Sequence, residues 1–312
     1  MKKKVLLTGA SGFIGRHSIA PLEARGYEVH AISSRSTANG APGVIWHQAD
    51  LHDFSQMSAL VDKLAASHLV HLAWSVGQGG ADGAKKGACP EGYRWTLATL
   101  NLVRRFVEAG GRRALVAGSS FEYDWTGGMC AELTTLRRPT SYYGTCKSAL
   151  FDLLSGYAEA VELSMAWARI FFLFGPHEPP ARLIASVIRN LLNNEPALCS
   201  QGTQIRDYMY VEDVADALAA ILDSDVRGPV NVGTQQPIAL RDLIAQAADR
   251  IGRRDLVRLG ALPTRPTDAP LVLADTTRLR TEVGWQPGIG VAEGMDRTIA
   301  WWKAELKRVS GN

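Results

Sequence analysis

"KVLLTGASGFIGRH", residues 4–17, is a short apolar run that meets three glycines spaced three apart and passes into a helical pattern. Gly9, Gly12 and Gly15 supply a tight turn, close backbone approach and helix–strand contact without side-chain bulk. The helix start behind them offers unpaired N–H groups and a positive dipole end, which suits the pyrophosphate of a dinucleotide. Gly9, Ser11, Gly12, Phe13, Ile14 and Gly15 are therefore the first cofactor-facing candidates. The spacing is Gly-x-x-Gly-x-x-Gly, and a lone triplet of this kind is a weak signal without its flanking strand and helix.

Further runs repeat the theme: "EVHAIS" (28–33), "GVIWHQ" (43–48), "HLVHLAW" (68–74), "RALVAGSS" (113–120) and "SMAWARIFF" (164–172). Helical patterns at 15–25, 54–66, 93–109 and 141–160 lie between them. Short β-branched runs alternating with helices predict right-handed βαβ units, hence a Rossmann-type, doubly wound parallel sheet of the α/β class. After residue 172 the alternation loosens through the Pro-rich "GPHEPPARL" (175–183) and "ALPTRPTDAPL" (261–271). This predicts a smaller, interwoven C-terminal substrate lobe. The expected division is 1–172 plus about 207–235 for the dinucleotide domain, and 173–206 plus 236–312 for the lobe.

Bulk properties agree with a globular chain of 312 residues, 46% hydrophobic and 21% charged. The net charge of +3 is spread along the chain and leaves no footprint for nucleic acid. The apolar run after the first lysines reaches Gly9 too soon for a secretory h-region, and nothing later approaches a membrane span. The four cysteines, Cys89, Cys130, Cys146 and Cys199, show no metal spacing. A cytoplasmic protein with reduced thiols, no bound metal and no membrane partner is expected.

Two further stretches carry chemistry. At the end of the second strand an acidic residue would bond the ribose of NAD, but "ISSRS" (32–36) has none, and Arg35 with its neighbouring serines suits a 2′-phosphate. NADP(H) is thus favoured over NAD(H). In "TSYYGTCKSALFDLL" (140–154), Tyr143 and Lys147 share a helix face four residues apart. The lysine cation favours the phenolate, so Tyr143 can exchange a proton with a carbonyl or alcohol. Tyr142 has only Cys146 as its corresponding neighbour.

Together, "TGASGFIG", Asp50-Leu51, "HLAW", "GSS" and "YYGTCK" resemble the extended short-chain dehydrogenase/reductase family. "RIFFLFGP" (169–176), "QIRDYMYVEDVADAL" (204–218), "VNVG" (230–233) and "RPTDAPLVLADTTRLRTEVGWQP" (265–287) look like later blocks of its nucleotide-sugar epimerase/dehydratase/reductase branch. The resemblance implies that Asp50 and Leu51 face the adenine, that Leu72, Ala73, Trp74 and Ser119 flank the cofactor, and that Ser120 bonds the substrate oxygen beside Tyr143. It also implies that Arg206 and Arg265 clamp the substrate diphosphate, although Asp207 or Asp213 offers Arg206 a structural ion pair instead. The 4,6-dehydratases of the branch follow a hydroxyl with an Asp and a Glu. Counted from Ser120 those positions hold Phe121 and Glu122, so elimination of water is not expected. Glu122 is left as a base, a sugar ligand or a structural carboxylate. Trp74 and Trp95 stand where relatives carry a small residue and Asn.

The expected function is NADP-dependent reduction of a nucleoside-diphosphate 4-keto-6-deoxy sugar, with Tyr143 as proton donor. The alternatives are an NAD-dependent nucleotide-sugar epimerase and, from another class, a non-catalytic NADP-binding sensor or assembly factor. By resemblance a homodimer is also expected, formed through the helices at about 93–109 and 141–160.

Overall fold

The computed structural model describes residues 3–34, 43–75, 91–264 and 268–310. Arg35, Arg265 and Cys89 lie outside the described residues. In chain order the strands of the first half are β1 (Lys4–Thr8), β2 (Glu28–Ser33), β3 (Ile45–Gln48), β4 (His68–His71), β5 (Arg113–Ser119), β6 (Met129–Cys130) and β7 (Ser164–Ile170). They are followed by β8 (Phe172–Phe174), β9 (Ala197–Leu198), β10 (Ile205–Tyr210), β11 (Gly228–Val232), β12 (Pro237–Ala239), β13 (Val257–Arg258) and β14 (Leu271–Ala274). The helices are α1 (Phe13–Ala24), α2 (Phe54–Leu64), α3 (Glu91–Glu108), α4 (Tyr142–Ala160), α5 (Leu183–Leu192), α6 (Val211–Asp223), α7 (Leu240–Ile251), α8 (Thr277–Thr281) and α9 (Val291–Ser310).

Seven strands form one sheet in the order β11-β7-β5-β4-β1-β2-β3, parallel at every pairing. Its strands are apolar nearly throughout because helices cover both faces. On one face Ile19 and Leu22 of α1 and Val214, Leu218 and Ile221 of α6 pack on Val5, Leu7 and Val29. On the other, Met57 and Val61 of α2, Leu102 and Phe106 of α3 and Leu150 and Leu154 of α4 pack on Leu6, Leu69 and Val116. This is the doubly wound Rossmann-like α/β fold that the alternation implies. The strand order reverses between β4 and β1, and ligands of such sheets bind in the crevice beyond the strands' carboxyl ends at that reversal.

A second sheet, β12-β10-β14-β6 with β8 beside β10, draws strands from both halves of the chain. Helices α5, α7 and α9 share a core with it around Phe174, Ile188, Tyr210, Leu243 and Met295. β10 therefore belongs to the second sheet, while α6 and β11 return to the first. Asp207 pins this crossover: its carboxylate accepts bonds from Thr234 N (2.7 Å), Gln235 N (2.8 Å) and Ala274 N (3.2 Å).

Candidate active site

The glycine turn is built for close approach. Gly9 has φ +73°, and a Cβ there would stand 2.7 Å from Ala73 N; one on Gly15 would stand 2.1 Å from Gly9 O. Only hydrogen fits at either place. Gly12 caps α1 without any side-chain bond, so no capping side chain takes the first N–H groups of the helix. Ser11 Oγ lies 3.5 Å from Ser33 Oγ, linking the turn to the tip of β2. Arg16 folds back over the turn, donating to Ser11 O (2.8 Å), Gly12 O (3.2 Å) and His177 Nδ1 (2.6 Å). A turn with no side-chain bulk at Gly9 and Gly15 is what close approach of a pyrophosphate requires.

Beneath the turn, β4 is locked in place by its last residue. His71 is buried between Thr8 Oγ1 (2.7 Å) and Thr99 Oγ1 (2.9 Å), and burial pushes its ring down to about 3, so it is neutral. Leu72 N donates to Thr8 O (3.2 Å), which carries Leu72, Ala73 and Trp74 along the crevice. Asp50 is exposed at the end of the strand that follows β2; its Oδ1 accepts from His52 N (2.9 Å), while Leu51 is buried against α2.

The catalytic candidates meet at the tip of β5, in a register that differs from the sequence reading. The hydroxyl whose influence reaches the Tyr143 phenol is that of Ser119, the last residue of the strand. Ser120 opens the following 3-10 turn and is 1% exposed. The reason is local geometry: Ser119 Oγ accepts from Phe121 N (3.3 Å) and Glu122 Oε1 accepts from Ser119 N (2.8 Å), a capping box that ends the strand at Ser119. Counted from Ser119, the two following positions are Ser120 and Phe121. Neither is a carboxylic acid, so the pattern of the dehydratases is further away than the sequence reading placed it.

Glu122 does not reach the cleft. It is wholly buried, and its oxygens accept from Arg169 Nε (2.8 Å), Trp167 Nε1 (2.9 Å) and Ser119 N. Arg169, 1% exposed, also donates to Tyr123 Oη (2.9 Å), which in turn donates to Asn231 Oδ1 (2.7 Å). The network ties the tips of β5, β7 and β11 together under Ser119. Of the three roles open to Glu122, the structure assigns it the structural one.

Tyr143 and Lys147 lie in the first turns of α4, whose start is capped by Ser141 Oγ accepting from Gly144 N (3.1 Å). Tyr142 points outward and is 41% exposed. Burial pushes the Tyr143 phenol up to about 12; the bond to Ser119 opposes this, Glu122 adds to it, and the positive charge of Arg182 opposes it. Lys147 is buried, and that burial pushes its ammonium down to about 7. Its Nζ donates to Ala117 O (2.8 Å) and stands 3.9 Å from the centre of the Trp74 ring. Trp74 also packs edge-on to Tyr143 at 6.1 Å and against Trp95 at 6.3 Å. Both tryptophans thus shape the crevice wall rather than lying deep in the core.

Arg206 is 5% exposed, donates to Ile205 O (2.9 Å) and Ala269 O (2.8 Å), and lies over the Phe172 ring at 5.3 Å. Neither ion pair expected as its alternative forms, because Asp207 is taken by backbone amides and Asp213 accepts from Ile289 N (2.8 Å). Arg169 and Arg182 join the site only in the structure. A lone arginine inside the apolar run 164–172 is the available signal for Arg169. Arg182 gave none, sitting in a Pro-rich loop.

Comparison with known proteins agrees with this geometry. The profile described as the NAD dependent epimerase/dehydratase family matches residues 5–233. The UDP-glucuronate 4-epimerase of Thermodesulfobacterium geofontis is 23% identical, with 97% of each chain covered. Among solved structures, the UDP-glucose 4-epimerase of Thermus thermophilus in complex with NAD superposes with a TM-score of 0.83 at 27% identity, covering 96% of this chain and 99% of that one. MoeE5 in complex with UDP-glucose and NAD gives 0.82 at 29% identity, over 97% and 99%. With its Rossmann-type sheet, glycine cradle and Ser–Tyr–Lys cluster, this chain belongs to the NAD dependent epimerase/dehydratase family of extended short-chain dehydrogenases/reductases.

Proposed function

We propose that the protein is an NAD-dependent epimerase of a nucleoside-diphosphate sugar, inverting a carbinol carbon such as C4. The observation that carries this reading is the hydroxyl pair Ser119–Tyr143, one helical turn from Lys147, at the crevice where the glycine turn opens. Relatives that are epimerases with bound NAD favour it over the reductase expected from the sequence. The preference for NADP(H) rested on Arg35, whereas the relatives hold NAD.

When bound, the dinucleotide supplies a reversible hydride acceptor. The glycine turn would hold its pyrophosphate, Lys147 its ribose hydroxyls, and Leu72–Trp74 its flank. Tyr143 Oη takes the proton of the sugar hydroxyl as that carbon is oxidised, and returns it once the ketone has turned its other face. Ser119 Oγ donates to the same oxygen and stabilises negative charge on it in both directions. A cationic Lys147 would favour the phenolate against the burial that holds the Tyr143 phenol up. Arg206, Arg265 and Arg182 are the proposed contacts for the diphosphate. Dimerisation through α3 and α4 is proposed on resemblance alone.

The test is incubation of the purified protein with NAD and a panel of UDP-sugars, followed by NMR of the sugar and the dihydronicotinamide absorbance. Isomerised sugar with unchanged absorbance supports epimerisation. Stoichiometric consumption of added NADPH would return the reading to a reductase. If Tyr143→Phe preserves function in the cell, the protein acts as a binding module.

A further inference from the structure

Beside the Ser119–Tyr143 pair the cleft has an unusual wall. Phe121 follows the catalytic hydroxyl by two residues, and its ring meets Tyr143 edge-on at 6.1 Å. It packs on Trp125 at 4.8 Å and on Phe172 at 6.4 Å, and Phe172 continues to Tyr208 at 5.7 Å. Phe121, Trp125 and Phe172 are all half-buried, so none of the three rings is sealed in the core. Phe121 and Trp125 come from the loop after β5 and Phe172 from β8, so both lobes contribute.

The polar side chains near this wall are engaged with other parts of the protein, and the Arg206 guanidinium lies over the Phe172 ring at 5.3 Å. Trp125 Nε1 donates to Ser120 O (2.8 Å), Glu122 is enclosed by Arg169 and Trp167, and Arg206 donates to Ile205 O and Ala269 O. A hydroxyl or carboxylate pressed against these rings would lose water and gain no partner from them, and burying a polar group unpaired is costly. A methyl or methylene group there is favoured for the opposite reason.

We propose that Phe121, Trp125 and Phe172 form the specificity surface for the sugar, and that they select a nucleotide sugar presenting a deoxy, methyl-bearing carbon next to the reacting one. Hydroxymethyl and carboxylate counterparts are disfavoured. The inference rests on the nucleotide-sugar reading above and narrows its substrate class. It also separates this chain from its relatives that act on UDP-glucuronate. The contrary feature is Arg182, whose positive charge is felt at the Tyr143 phenol and is available to an anion.

The test compares UDP-6-deoxyglucose, UDP-glucose and UDP-glucuronate with the full chain and NAD, reading kcat/KM for isomerisation and affinity by calorimetry. The deoxy sugar should exceed UDP-glucose by roughly tenfold and UDP-glucuronate by roughly a hundredfold or more. Phe121→Ser should shrink the deoxy-to-glucose ratio toward one, while Phe121→Leu keeps it; a general loss of packing would lower both rates together and leave the ratio alone. UDP-glucuronate equal to or better than the deoxy sugar overturns the proposal and gives Arg182 to the carboxylate. If none of the three is isomerised, the epimerase reading fails, yet the order of affinities still decides the specificity claim.

Discussion

Replacing Ser119 by alanine tests the site where structure and sequence part. The hydroxyl holds the Tyr143 phenol down and accepts from Phe121 N, so its loss touches both chemistry and the 3-10 turn. The turn bond is a capping interaction, and removing it costs about 1 kcal/mol. Removing the donor that steadies charge on the reacting oxygen costs far more, about 10²–10³ in kcat. The two are separable because the first appears in Tm and the second does not. The pH profile adds a sign. The Ser119 bond is one of the influences holding the Tyr143 phenol down against burial, so Ser119→Ala moves the phenol higher still. The phenolate that accepts the proton in the oxidation direction then forms later, and the ascending limb of kcat against pH shifts to alkaline values. Ser120→Ala, at a residue that opens the turn behind the reacting pair, should keep most of the activity and an unshifted limb. A larger loss in Ser120→Ala than in Ser119→Ala, at equal Tm, would refute the assignment of the hydroxyl to the strand's last residue.

Three further outcomes follow from the same geometry. Glu122→Gln leaves the buried Arg169 without its counter-charge and should cost about 3–5 kcal/mol, read as a lower Tm and denaturation midpoint; intact stability with lost activity would instead place the carboxylate on the substrate. Lys147 has a folded pKa of about 7 against an ordinary 10.5, so below pH 7 the fold carries the full cost of the buried charge. Between pH 7 and 10.5 the unfolded chain holds a proton that the folded one has released, so stability rises with pH across that window. Lys147→Met should abolish turnover, raise stability at about pH 6 and flatten this rise, as urea titrations at about pH 6 and 9 can measure. Gly15→Ala drives a methyl to 2.1 Å from Gly9 O and should abolish NADH binding, followed by titration of the dihydronicotinamide fluorescence; retained affinity would remove the glycine turn from the cofactor site.

Much of this site is written in short-range patterns. The triplet Gly9–Gly12–Gly15 and the i, i+4 pair Tyr143–Lys147 are local rules, because a turn's φ values and a helix's pitch depend on the residues themselves. The alternation of apolar runs with helical stretches likewise determined the parallel sheet, since nothing else buries strands on both faces. The assignment of hydroxyls was different in kind. Whether Ser119 or Ser120 ends β5 depends on a capping carboxylate that is itself held by Trp167 and Arg169, more than forty residues away in sequence. The role of Glu122 depends on the same partners, and the aromatic wall on Phe172 arriving from the second sheet. Charge, burial and the orientation of a polar group are sums over whatever the fold brings near. Such sums exist only once distant segments have been packed together.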